Sequence, residues 1–298
     1  MISIIICSRK PDVTTDLRNN IAETIGCDYE LVVIDNSKSH YNIAQAYNRG
    51  VERAKGDVLC FMHDDILFHT KDWGQLVERT FAVNASVGAM GVAGAHIVAD
   101  APAPMWAFQQ LCTFKLYSDD PKCASYAQHS GENPNGGYWF GNQIFAEGKK
   151  EIEVANVDGL WMCIRAVLFD TIRFDEETYQ GFHCYDADIS MQINGTDYRI
   201  LVTNEILIKH LSLGTLTEDY FKAADCWYAK WQSQLPVARG VEVSSRQMEV
   251  LRRYTMDALD RQKELLEYRR LKNTRAYRLG KAILNPFYFI RGLFKKND

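Results

Sequence analysis

Residues 57–66 read DVLCFMHDDI. Val58 to Met62 form an apolar run that stops on His63, Asp64 and Asp65, so a buried strand delivers an imidazole and two adjacent carboxylates at its carboxyl end. In open α/β sheets, ligands bind beyond the carboxyl ends of the strands. Hard divalent cations take oxygen ligands, and Mg2+ commonly uses one or two protein carboxylates completed by substrate phosphates. The stretch is therefore expected to hold a metal and a diphosphate; two acids after a strand also suit a solvated turn.

The flanking sequence repeats the pattern. Upstream, Ile2 to Cys7 is a continuous apolar run without alternation, as in parallel strands covered on both faces, and it ends in Ser8, Arg9, Lys10 and Pro11. A helical stretch near Thr14 to Ile25 precedes a second buried run, Glu30 to Ile34, which ends in Asp35, Asn36 and Ser37. Asn42 is a natural N-cap for a helix whose Ile43, Ala46, Tyr47, Gly50, Val51 and Ala54 recur at helical spacing, with Gly56 as its C′ residue. The order β, α, β, α, β predicts a parallel sheet with right-handed crossovers and polar clusters on one rim.

Downstream, Asp72 to Asn84 reads as a helix and Gly88 to Val98 as one small-residue strand. Residues 100–155 lose periodicity and collect Trp106, Phe108, Tyr117, Tyr126, Tyr138, Trp139 and Phe140. A long aperiodic segment of this kind is usually functional or mobile. Its flat faces suit an acceptor sugar or a lipid-linked glycan; a satellite core under a loop is the alternative. Regularity returns at Ile152 to Val157 and Leu160 to Ile164, then in a helix start at Tyr185 with Asp186 and Asp188 in its first turn, where carboxylates favour the positive end of the helix dipole. Short strands lead to Lys209 and His210, followed by helices over 217–234 and 244–271.

The runs IIICSRKP, ELVVIDNS, NIAQAYNRGVERAKGDVLCFMHDD, VDGLWMCIRAVLF and CYDADIS, in this order over about residues 1–215, resemble the family 2 glycosyltransferases of the GT-A type. The resemblance implies an α/β fold with a Rossmann-like, mainly parallel sheet and helices on both faces, followed by a C-terminal helical extension. It implies inverting transfer of a sugar from a nucleotide diphosphate donor, UDP-linked by expectation, to a hydroxyl of a glycan or lipid-linked acceptor. Ser8 and Arg9, and Asp35 with Asn36, match the family's nucleobase and ribose contacts. His63, Asp64 and Asp65 match its DxD motif, Asp65 on the metal (Mn2+ or Mg2+) and Asp64 on the donor side. Asp186 matches the general base, and His210 a downstream histidine that joins the metal or diphosphate in some members. Two positions depart: His63 replaces the first acid of DxD, and Tyr185 stands where a glutamate often precedes the base. Asp158, Gly159, Trp161 and Asp188 lie beside these matches as candidates for the acceptor or donor-sugar side; Asp188 points away from Asp186, and Trp161 reads equally as a core residue.

The implied organisation is a catalytic domain over 1–216 carrying the 100–155 insertion, a helical extension over 217–272 and a basic amphipathic tail over 273–298. The tail sets Arg275, Arg278, Lys281, Arg291, Lys295 and Lys296 among aromatic and aliphatic residues, a pattern for lying on an anionic membrane surface. The apolar stripe over 244–271 serves either docking on the same chain or a homodimer. A net charge of -4 over 298 residues argues against nucleic acid as partner. The opening lacks a signal-peptide pattern and the eight cysteines form no CxxC pair, so the expected location is cytoplasmic, peripheral at the inner membrane face. Two other readings stand: a nucleotidyltransferase, though SRKPDVT lacks the glycines such a loop wants, and an idle nucleotide-sugar or glycan-binding protein.

Overall fold

In the computed structural model the strand bearing the two acids lies inside a seven-stranded sheet; residues 1–103, 112–119, 129–132, 138–142, 150–212, 217–277, 279 and 281 are described. The first half runs β1 (Ile2–Ser8), α1 (Thr15–Thr24), β2 (Tyr29–Asp35), α2 (Ile43–Arg53), β3 (Val58–Met62), β4 (Ile66–Phe68), α3 (Trp73–Val83) and β5 (Val87–Gly91). Short strands follow: β6 (Ala93–Ala95), β7 (Ile97–Val98), β8 (Cys112–Ser118), β9 (His129–Glu132), β10 (Tyr138–Asn142), β11 (Glu151–Val154), β12 (Asn156–Val157) and β13 (Trp161–Arg165). The chain then forms α4 (Tyr185–Asn194), β14 (Arg199–Thr203), β15 (Ile208–His210), α5 (Glu218–Trp231), β16 (Val237–Ala238) and α6 (Ser245–Asn273).

The main sheet has the order β11-β14-β5-β13-β3-β1-β2. β2, β1 and β3 are parallel, as the βαβαβ pattern predicts. β13 inserts antiparallel between β3 and β5, which makes the whole sheet mixed. Successive residues of β1 feed opposite cores: Ile4 and Ile6 pack with Leu17, Ile21 and Trp73 of α1 and α3, while Ile5 packs with Ala46 and Tyr47 of α2 and Ile189 of α4. This two-sided burial explains why the strand is apolar at every position. Asn42 and Gln45 close a reciprocal capping box on α2, with the Gln45 amide donating to Asn42 at 2.8 Å and the Asn42 amide to Gln45 at 3.1 Å. Such a cap stabilises the helix by about 1 kcal/mol.

The expected strand over Gly88 to Val98 is three strands in three different sheets. β5 belongs to the main sheet, β6 pairs with β8 and β12 in a second sheet, and β7 pairs with β16. Gly94 lets the chain pass: a Cβ there would lie 2.4 Å from the Asn156 carbonyl oxygen. Within 100–155 the described residues include the strands β8, β9, β10 and β11, with β10 antiparallel to both β8 and β9. Trp106, Phe108 and Tyr126, and most of the tail after Tyr277, lie outside the described residues. The chain divides into two compact units, Met1–Thr255 and Met256–Asp298. No described helix is long and apolar enough to cross a membrane.

Candidate active site

The carboxyl ends of β1, β2 and β3 form one rim, because the register sets Ser8 beside Asp35 and Ile6 beside Met62. Beyond Met62, the His63 amide donates to the Leu160 carbonyl at 3.1 Å, and the chain turns through Asp64 and Asp65 into β4. β4 pairs antiparallel with β15, placing Ile66 opposite His210, and the Leu211 amide donates to the Asp65 carbonyl at 2.9 Å. A distant histidine is thereby fixed against the acid by backbone register.

The result is a cluster. His210 Nε2 lies 3.3 Å from Asp65 Oδ1, and His63 Nδ1 lies 3.9 Å from the same oxygen. Ser212 Oγ donates to Asp65 Oδ2 at 2.6 Å. One ligand atom each from His63, Asp65 and His210 fall within 4.8 Å of one another. Ligand bonds of about 2.1 Å span separations of up to about 4.2 Å across an ion, so a small inward adjustment accommodates a divalent cation. Burial raises the Asp65 pKa, but hydrogen bonds from His210 and Ser212 outweigh it and hold the carboxyl well below the usual range. Burial and the neighbouring His210 lower the His63 pKa, leaving the imidazole neutral with a lone pair to offer.

Asp64 turns the other way, accepting from the Arg9 amide at 3.3 Å and facing the Arg9 guanidinium at 3.5 Å. Arg9 and Asp35 are exposed on the rim. Ser8 and Asn36 are 1% and 3% exposed and are committed to the loops. Ser8 Oγ accepts from the Lys10 amide at 3.2 Å, and the Asn36 side chain bonds the backbone of Tyr41 in both directions. Arg9 and Asp35 therefore present their side chains at the rim, whereas Ser8 and Asn36 shape the loops behind them.

Asp186 opens α4 beside the start of β13. Its Oδ2 accepts from the Gly159 amide at 2.9 Å and its Oδ1 from the Ala187 amide at 2.9 Å. Burial nevertheless raises its pKa against the pull of those amides. Tyr185 reaches the other side of the same glycine, its hydroxyl 3.2 Å from the Gly159 carbonyl and 3.2 Å from His63 Nε2. A Cβ on Gly159 would lie 2.1 Å from that hydroxyl, so only glycine admits it. The base candidate and the metal cluster thus share one small loop. Asp158 caps that loop, accepting from the Leu160 amide at 2.8 Å.

Two sequence candidates lie elsewhere. Trp161 is 0% exposed and packs edge-on against Trp73 and Phe68 in the core, so it presents no face to a sugar. Asp188 is also 0% exposed; it accepts from Tyr179 at 2.9 Å, Trp231 at 2.8 Å and Gln192 at 2.7 Å, and pairs with Lys230 at 2.7 Å. It fastens α5 to α4 instead of facing a substrate. Ser212 and the bridging role of Tyr185 were not singled out by sequence reasoning. The spacing of Ser212 from His210 offered a signal, since side chains two apart along an extended chain share a side. Tyr185 carried none, because its partners come from β3 and the loop before β13.

An α/β sheet covered by helices on both faces, with acid and imidazole clustered at the carboxyl ends of its strands, is the architecture of the GT-A type glycosyltransferase fold. The profile of a glycosyltransferase-like family matches residues 3–212, and the chain belongs to that family. Among solved structures it is similar to GalNAc-T7 with UDP, GalNAc and Mn2+, at 12% identity and TM-score 0.51, covering 92% of this chain and 58% of that one. It is also similar to TarS 1-349 of S. aureus, at 13% identity and TM-score 0.48, covering 86% and 71%. A third is the mannosyltransferase PcManGT of Pyrobaculum calidifontis in complex with GDP-Man and Mn2+, at 11% identity and TM-score 0.44, covering 99% and 88%. The likeness to GalNAc-T7 concerns the fold. No curated protein sequence matches the chain.

Proposed function

We propose that this glycosyltransferase inverts the anomeric centre, using Asp186 as general base and a divalent metal held by His63, Asp65 and His210 against the diphosphate of a UDP-linked donor. The observation that carries the reading is the β4–β15 register, which brings His210 to Asp65 at the end of β3. A bound metal supplies positive charge to the departing diphosphate. Two imidazoles in the set favour Mn2+ or another transition metal over Mg2+, which prefers an all-oxygen shell.

The chain's own groups do the rest. Asp186 takes the proton of the acceptor hydroxyl as its oxygen attacks the anomeric carbon, and the bond to the nucleoside diphosphate breaks with its electron pair leaving on phosphate oxygen. The pKa raised by burial makes Asp186 a stronger base than an ordinary carboxylate. The Gly159 and Ala187 amides hold both carboxylate oxygens in place. Arg9 and Asp35 meet the nucleoside on the rim, with Asp64 orienting Arg9.

The second sheet adjoins this site, since β8 runs parallel to β15 with Leu116 opposite Ile208 and Tyr117 opposite Lys209. That adjacency supports an acceptor, a glycan or lipid-linked glycan, on the 100–155 side. Peripheral membrane contact through 273–298 rests on its basic and aromatic composition, and a homodimer through 244–271 on the exposed Leu265 and Leu271 of α6. The boundaries at 216 and 272 belong to the same proposal.

Release of UDP from UDP-sugars, followed with and without Mn2+, tests the activity. Turnover that needs the metal and disappears in Asp186→Asn is the expected result. Turnover unchanged in that variant removes Asp186 from the reaction.

A further inference from the structure

Proton counting around the Tyr185 hydroxyl assigns a role to a residue that does not touch the substrate. The hydroxyl has one hydrogen and two lone pairs; it lies 3.2 Å from the Gly159 carbonyl oxygen and from His63 Nε2, and it also bonds the Tyr47 hydroxyl, which brings a hydrogen of its own to donate. A carbonyl only accepts, and Tyr185 is buried at 4% exposure, where an unpaired carbonyl costs about 1–3 kcal/mol. The hydrogen therefore goes to Gly159, and His63 Nε2 donates to the phenolic oxygen. A neutral imidazole that carries its proton on Nε2 has its lone pair on Nδ1, the nitrogen that faces Asp65 at 3.9 Å.

We infer that Tyr185 is a positioning residue: its hydroxyl fixes the Nε2–H tautomer of His63, so that Nδ1 is presented as a metal ligand. The inference rests on the metal reading above and deepens it. Without the hydroxyl, the carboxylate of Asp65 competes for the imidazole proton. An Nδ1–H pointing at Asp65 satisfies that acid and withdraws His63 from the ligand set. His63 and Tyr185 then form one donor–acceptor pair built across the loop. Gly159 completes it, because any Cβ would occupy the position of the hydroxyl.

The tautomer is read in the metal-free protein by long-range 1H–15N correlation of the imidazole rings, with His63→Gln identifying the His63 signals. Wild type is expected to show Nε2–H at neutral pH. In Tyr185→Phe, which keeps the ring packed against Tyr47 and Phe174, an Nδ1–H population is expected to appear. Mn2+ affinity, measured from the free-ion electron paramagnetic resonance signal, is expected to fall about 10- to 100-fold, as for loss of an outer partner of a ligating histidine. Nδ1–H in wild type overturns the inference, as does a variant with unchanged tautomer and Mn2+ affinity within twofold. Wild type that shows Nε2–H but binds no Mn2+ overturns the metal reading instead, and the two failures are thereby distinguished.

Discussion

Nε2 of His210 stands 3.3 Å from Oδ1 of Asp65, although nearly half the chain separates them. The short β4–β15 ladder makes that contact, and Ser212 adds a 2.6 Å hydrogen bond to the second oxygen of the same carboxylate. Removing a ligand and removing its support are therefore expected to differ in degree. Asp65→Asn abolishes Mn2+ binding, whereas Ser212→Ala weakens it about 10- to 100-fold. Titration of free Mn2+ checks both; equal affinity in Asp65→Asn and wild type contradicts the ligand assignment.

Asp186→Asn is expected to cost about 10²- to 10⁴-fold in turnover, the usual contribution of a general base. Its stability moves the other way. The folded pKa of Asp186 is raised by burial, so its stability contribution is fully present below the unfolded value of about 3.9 and is lost as pH rises through the folded value. Asparagine carries no such penalty, and the variant is expected to melt at or above the wild-type temperature at neutral pH, with the difference shrinking toward acid pH. Thermal melts across pH read this directly.

The same shift sets the acid side of the pH–rate profile. Asp186 acts only when ionised, so the rate falls as pH drops through its raised pKa. The acid limb of kcat/KM is expected above the ordinary aspartate value of about 3.9. A limb at that ordinary value would place the base elsewhere.

Lys230 pairs at 2.7 Å with both Asp175 and the fully buried Asp188. Lys230→Met leaves Asp188 with its Tyr179, Trp231 and Gln192 donors but no countercharge. Breaking a buried pair costs about 3–5 kcal/mol; Lys230 is 31% exposed, so a loss of about 2 kcal/mol is expected. The further change Asp188→Asn is expected to restore much of it. Urea unfolding of the single and double variants measures the coupling, and simple additivity would contradict the role given to this pair.

Much of this arrangement is legible in the sequence where it depends on local pattern. The apolar β1, β2 and β3 with polar ends, the Asn42 cap and the acids of the first turn of α4 all follow from periodicity and residue type. Contacts between distant segments do not. Gly56 reads as a helix C′ residue, yet its place is set by close passage of β1: a Cβ there would meet the Met1 carbonyl oxygen at 2.7 Å. Asp188 and Asp186 look alike on one helix, and only the docking of α5 separates the fastening acid from the one at the loop. The antiparallel insertion of β13 is hidden for the same reason, since an apolar run does not state its direction.

The metal-dependent grip on a nucleoside diphosphate is the centre of the account, and calorimetry with UDP and with GDP, each with and without Mn2+, tests it most directly. Binding that needs Mn2+ in wild type and vanishes in Asp65→Asn is predicted. Equally tight binding without the metal, or in that variant, would contradict it.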